Sequence, residues 1–96
     1  MVLYFVAVFE KLDSCGPVNS SCLGYFTSFE EAEYNVLNNV NDLYEKCYEY
    51  AVIEGVKPGL WASTLAAPTF YKWDGEKYVR IDRPKECSYL CGFTLN

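Results

Sequence analysis

Histidine is absent from all 96 residues. Its absence removes the Ser-His and Cys-His dyads, the usual acid-base group near neutral pH and the commonest zinc ligand. Catalysis would be left to carboxylates or a lone thiol, and a non-enzyme is the expectation. Basic residues are scarce, eight Lys and Arg against thirteen Asp and Glu, for a net charge of −5. That balance argues against direct binding to DNA or RNA phosphates and suits a basic partner better. No C-x-x-C pair, G-x-x-x-x-G-K-[ST] loop or G-x-G-x-x-G loop occurs, so neither a four-thiolate zinc site nor a phosphate cradle has its usual spacing. No cofactor or metal is expected. The apolar stretch 2–9 is too short to cross a bilayer, lacks a basic leader and runs into Glu10 and Lys11. It reads as a buried strand, with no membrane partner and no secretory signal.

What the chain does have is aromatic surface. Aromatic residues make up 18% of it, nine of them Tyr and six Phe, more rings than one small core can hold. Some rings must stay outside, where Tyr and Trp provide contact area at low entropic cost. The length gives one domain, residues 1–96. The five cysteines, Cys15, Cys22, Cys47, Cys87 and Cys91, are an odd number. With no leader they read as free thiols in a reducing cytoplasm, Cys15 with Cys22 and Cys87 with Cys91 being the pairs that geometry would have to bring together for oxidation.

The spacing of apolar residues predicts the elements. Residues 2–9 form a central strand, and 22–26 a second strand beyond a polar loop. Ser28 then caps a helix, with Glu31 three residues on as its capping-box partner and Glu30, Glu31 and Glu33 at the positive end of the helix dipole. Phe29, Ala32, Val36, Val40, Leu43 and Cys47 follow as one apolar stripe, which extends the expected helix to residue 47. A third strand covers 49–56, with Tyr50, Val52 and Glu54 on one side and Ala51, Ile53 and Gly55 on the other. Residues 60–68 read as a loop around Trp61. Residues 70–81 form a hairpin through a tight type I′ turn at Asp74-Gly75, which would place Trp73 opposite Glu76, Lys72 opposite Lys77 and Tyr71 opposite Tyr78. One hairpin face then gathers Tyr71, Trp73 and Tyr78. A last strand or helical turn lies in 87–95. The sum is an α+β fold, a mostly antiparallel sheet of four to five strands with one amphipathic helix packed on one face. Its strand order is second, first, third, then the hairpin.

Few constellations carry chemistry. The helix acids already serve the dipole and the cap. Asp74, Glu76 and Asp82 have no calcium-loop spacing. Lys72, Lys77 and Arg80 form a small basic patch among the hairpin rings, which suits gripping a nucleotide by stacking and charge, a ligand-sponge reading. A thiol enzyme using Cys87 or Cys91 is the third reading.

Three stretches, GYFTSFEEA at 24–32, YAVIE at 50–54 leading to PGL at 58–60, and YKWDGEKY at 71–78, together hold 25 of the 96 residues, spread over positions 24–78. This pattern resembles small, mostly uncharacterised proteins of bacteriophages and prophages of gut-type bacteria. Its motifs determine a fold and transfer no catalytic residue. The resemblance implies a noncatalytic inhibitor of a bacterial host defence component, of the anti-CRISPR type, acting in the host cytoplasm on a protein with a basic surface. The implied contact surface is the outer face of the helix, Glu30, Glu31, Glu33, Asp42, Glu45 and Glu49, with Tyr34, Tyr71, Trp73 and Tyr78 as aromatic anchors. A homodimer is left open.

Overall fold

A computed structural model describes residues 2–14, 16–39, 48–57, 63–64, 68–82 and 84. The fold is α+β, one antiparallel sheet carrying a single described helix. β1 (Leu3–Phe9) runs into a two-stranded ribbon, β2 (Lys11–Asp13) with β3 (Gly16–Val18), where the sequence suggested only a polar loop. Asn19, at φ +54°, turns the chain out of this ribbon toward β4 (Ser21–Phe26). After α1 (Phe29–Leu37) come β5 (Tyr50–Lys57), the short β6 (Ser63–Thr64), β7 (Thr69–Trp73) and β8 (Tyr78–Ile81). The main path across the sheet is β4, β1, β5, β7, β8, with β6 pairing β5 at its far end. This is the order the sequence predicted. β4 and β5 both pair antiparallel with β1, so they run in the same direction on either side of it, and α1 makes the crossover.

Ser28 caps α1 as its sequence position implied. Its hydroxyl accepts from the Glu31 amide at 3.3 Å and donates to Glu30 Oε2 at 2.9 Å. The helix is shorter than the apolar stripe promised. It ends at Leu37, with Asn38 at its C-cap and Asn39 in a left-handed conformation at φ +48°. Asn tolerates that conformation better than most residues, and the neighbouring Asn38 caps the helix end, its side-chain amide donating to the Tyr34 carbonyl at 2.8 Å. Residues 40–47, which carry the rest of the stripe together with the expected contact residues Asp42 and Glu45, lie outside the described residues. Within the expected 60–68 loop, Ser63 and Thr64 instead form β6 on β5, whereas the chain around Trp61 and the 87–95 segment lie outside the described residues.

Alternation along the strands sorts the core into two faces. Against α1 lie Val6, Val8, Ala51, Ile53, Tyr71 and Tyr78, which pack with Ala32 and Val36 of the helix. Away from it lie Ala7, Phe9, Val52 and Phe70, joined by Leu12 of the ribbon and by Tyr50 and Ile81. Glu54, paired with Phe5 on β1, is also buried, and no buried side-chain polar atom among the described residues lacks a hydrogen-bond partner. Gly55 has a packing reason. A Cβ there would come within 3.2 Å of the Tyr4 ring, which lies edge-on to Phe29.

The hairpin register differs from the sequence reading. Trp73 pairs with Tyr78, Lys72 with Val79, Tyr71 with Arg80 and Phe70 with Ile81. The connection is four residues, 74–77, and not a tight two-residue turn. The cause is the Asp74 side chain, whose Oδ1 accepts from the amides of both Glu76 and Lys77 at 2.9 Å and so organises a wider loop. The Asp74 amide closes that loop on the Lys77 carbonyl at 2.9 Å, and Gly75 supplies the positive φ of +111°. Because the slip is by an even number of residues, every side chain stays on its expected face.

Candidate functional site

The residues expected to meet a partner separate into three groups. The first is the solvent side of α1. Tyr34 is 63% exposed, and Glu30 and Glu31, four and three residues before it, are exposed on the adjoining helix surface. No Lys or Arg occurs between residues 28 and 45, so every charge the helix itself carries is acidic. The residue's own backbone amide, and then the Ser28 hydroxyl, hold the Glu30 carboxyl below the usual carboxylate range. Glu30 is therefore fully charged at neutral pH, which suits a surface that attracts cations.

The second group is buried. Tyr71 and Tyr78 are both at 0% exposure, under the helix, so their rings are core and are not presented to a partner. The expected aromatic cluster exists, with Trp73 edge-on to Tyr78 at 5.2 Å, but α1 lies against that hairpin face. Trp73 is half-buried, its ring packed against the core and its rim open. Polar atoms of the cluster turn inward. The Tyr78 hydroxyl donates to the Tyr48 carbonyl, and the Tyr71 hydroxyl donates to Glu33 Oε2 at 2.6 Å. Arg80 Nη1 approaches the same carboxylate oxygen at 3.9 Å. Burial first, and the Glu33 carboxylate second, push the Tyr71 phenol well above its ordinary range, with Arg80 opposing weakly. Glu33 is thereby committed to holding α1 on the sheet and sits at the margin of the acidic face.

The third group is the hairpin cations, of which the structure brings together only Lys77 and Arg80. Lys72 lies on the sheet face away from α1, its Nζ 5.6 Å from the centre of the Tyr50 ring, which in turn stacks on Phe9 at 4.9 Å. Arg80 is on the helix side. Lys77 and Arg80 share an open depression of about 390 Å³ with Leu37 and Asn38. Lys72 borders a different one, about 380 Å³, with Trp73 and two carboxylate residues, Glu49 and Asp74. Glu49 precedes β5, its carbonyl accepting from the Trp73 amide at 2.9 Å, and is not on the helix. A nucleotide gripped by all three cations has no common site here.

One feature escaped the sequence reading. A groove of about 230 Å³ runs between β4 and α1, lined by Val6, Leu23, Gly24, Phe26, Asn35 and Val36, with Tyr25 at its rim. Leu23 and Tyr25 are 46% and 58% exposed. The signal was available as a long uncharged run, but which of its residues stay exposed depends on what packs against the strand.

Among the described residues no helix is long and apolar enough to cross a membrane, and no three Cys, Asp or Glu side chains converge as a metal ion would require. No known protein family, curated protein or solved structure matches the chain.

Proposed function

We propose that the chain is a noncatalytic inhibitory binding protein whose contact surface is the outer face of α1, with Tyr34 as anchor and Glu30 and Glu31 beside it. One observation carries the reading: a large aromatic side chain stands 63% exposed on a helix face that holds acids and no base. An exposed Tyr with acids beside it is the composition of a desolvating anchor with electrostatic steering next to it. Such a face complements a basic protein surface. The phage-like pattern of residues 24–32, 50–60 and 71–78 supports a bacterial defence component, such as a CRISPR effector, as the partner, with the basic channel that normally holds nucleic acid as the place of contact.

The test uses a purified CRISPR effector and the wild-type chain in a target-cleavage assay, with affinity measured across a salt series. Tyr34→Ala is expected to weaken binding by about 30-fold, the scale of an anchor residue. Glu30→Lys with Glu31→Lys should weaken it further at low salt and flatten its salt dependence. Equal affinity for wild type and both variants, at unchanged helix content, would remove the helix face from the function.

A further inference from the structure

β4 ends the sheet. Its inner side pairs with β1, and no described strand pairs with its outer side. Free sheet edges recruit other strands, and soluble proteins guard them with charge or proline. The opposite edge is guarded in this way, since β8 carries exposed Arg80 and is flanked by exposed Lys77 and Asp82. β4 is not. Residues 19–29 contain neither a charged residue nor a proline, in a chain that is 22% charged. Between Val6 and Ala7 the β1–β4 register shifts by one residue, the bulge falls at Leu23, and Ser21, Cys22, Leu23 and Tyr25 are all exposed.

From this we infer that β4 is the interface of a homodimer, in which two copies of the strand pair antiparallel about a two-fold axis and make one continuous sheet. Charge selects the occupant. Each copy has a net charge of −5, so two copies repel over most of their surfaces and least where the strip is neutral. A basic partner gains nothing electrostatically from that strip, whereas a second copy offers the same uncharged strand and the same exposed Leu23. The packing is self-complementary. A two-fold axis normal to the sheet leaves both helices on one side, so the two β4–α1 grooves open toward each other across the junction, where the two Leu23 side chains fill them. Backbone pairing supplies the affinity and the grooves supply the selectivity, as in other strand additions. A single six-residue strand and a small groove form a contact at the low end of stable interfaces, so the dimer is a micromolar one. Both acidic helix faces stay uncovered and point to the same side, which would let the dimer bind a repeated basic surface twice.

Sedimentation equilibrium of the wild-type chain over low to high micromolar concentration tests this without any partner. The mass should rise from the 11.0 kDa monomer toward twice that value. Leu23→Lys, an exposed position that the fold can spare, places like charges across the axis and should hold the chain monomeric throughout. Tyr34→Lys, on the uncovered helix face, should leave dimerisation unchanged. Amide hydrogen exchange of wild type provides a second readout, with residues 21–26 slowing as concentration rises while β8 does not. A wild-type chain that stays monomeric at every concentration overturns the inference. So does a dimer that survives Leu23→Lys, or one that Tyr34→Lys abolishes.

Discussion

Replacing Tyr71 with Phe removes one oxygen from a fully buried ring and leaves the ring in place. That oxygen donates a 2.6 Å hydrogen bond to Glu33, the contact that ties α1 to β7. Hydrogen bonds to a charged group contribute about 1.5–3 kcal/mol. The Glu33 side chain keeps 26% of its surface in water and retains Arg80 at 3.9 Å, so it can be partly resolvated after the change. The expected cost therefore lies at the low end, about 1.5 kcal/mol. For a domain of this size that corresponds to a fall in Tm of about 6–12 °C. Urea denaturation followed by Trp fluorescence, with calorimetry beside it, measures both. The pH dependence gives a sharper signature. The phenol's folded-state pKa is raised above its unfolded value of about 10, so its contribution is fully present below that pH. It is lost as pH rises from there toward the folded value, because the unfolded chain releases the proton first. The gap between wild type and Tyr71→Phe should hence close above about pH 10. A cost below about 0.5 kcal/mol, or a gap that persists unchanged into strong alkali, would refute the account of Tyr71 as a hydrogen-bonded clamp.

Asp74 behaves in the opposite sense. Its carboxyl is held low by the Lys77 and Glu76 amides, so its contribution is present above the ordinary Asp range and is lost as pH falls through the depressed value. Asp74→Asn should flatten the acid limb of the stability curve, read by urea midpoints across an acid pH series, and an unaltered limb would mean that the loop does not depend on the carboxylate. Val36→Ala empties the centre of the contact between α1 and the sheet, where Val36 is 1% exposed. It should cost about 2 kcal/mol by urea denaturation, and a cost near zero would mean that the helix is not held by that contact.

The parts of this molecule legible in the sequence are those set by local period and local chemistry. The continuous apolar run of 2–9 and the alternation in 49–56 identified two strands, the second with its faces, and Ser28 with its downstream acids marked the helix start to the residue. The far end of the helix was not legible in the same way. An apolar stripe through Val40, Leu43 and Cys47 favours continuation, whereas Asn38 and Asn39 terminate the helix through backbone conformation, a choice that the stripe does not record. The hairpin shows the same division. Asp-Gly signals a tight turn by propensity, but the Asp74 carboxylate satisfies two loop amides at once and so widens the connection. The face of each ring survived only because the slip was even.

For the candidate site, the acids and Tyr34 could be proposed from helix spacing alone, since an outward face needs no knowledge of the rest of the chain. The aromatic anchors on the hairpin could not be assigned that way. Tyr71, Trp73 and Tyr78 share a face by period, and period is blind to whether that face meets water or a helix. Tertiary packing decided it, by laying α1 over them and drawing the Tyr71 hydroxyl onto Glu33, a partner 38 residues away along the chain. The same packing left Leu23 and Tyr25 exposed at an unguarded edge. By itself, then, the sequence determined the five main strands, the start of the helix, their order and the absence of the common catalytic side chains, because these depend on neighbours within a few residues. Which aromatic surface is core and which is free was decided only by long-range burial, because covering a face takes an element from elsewhere in the chain.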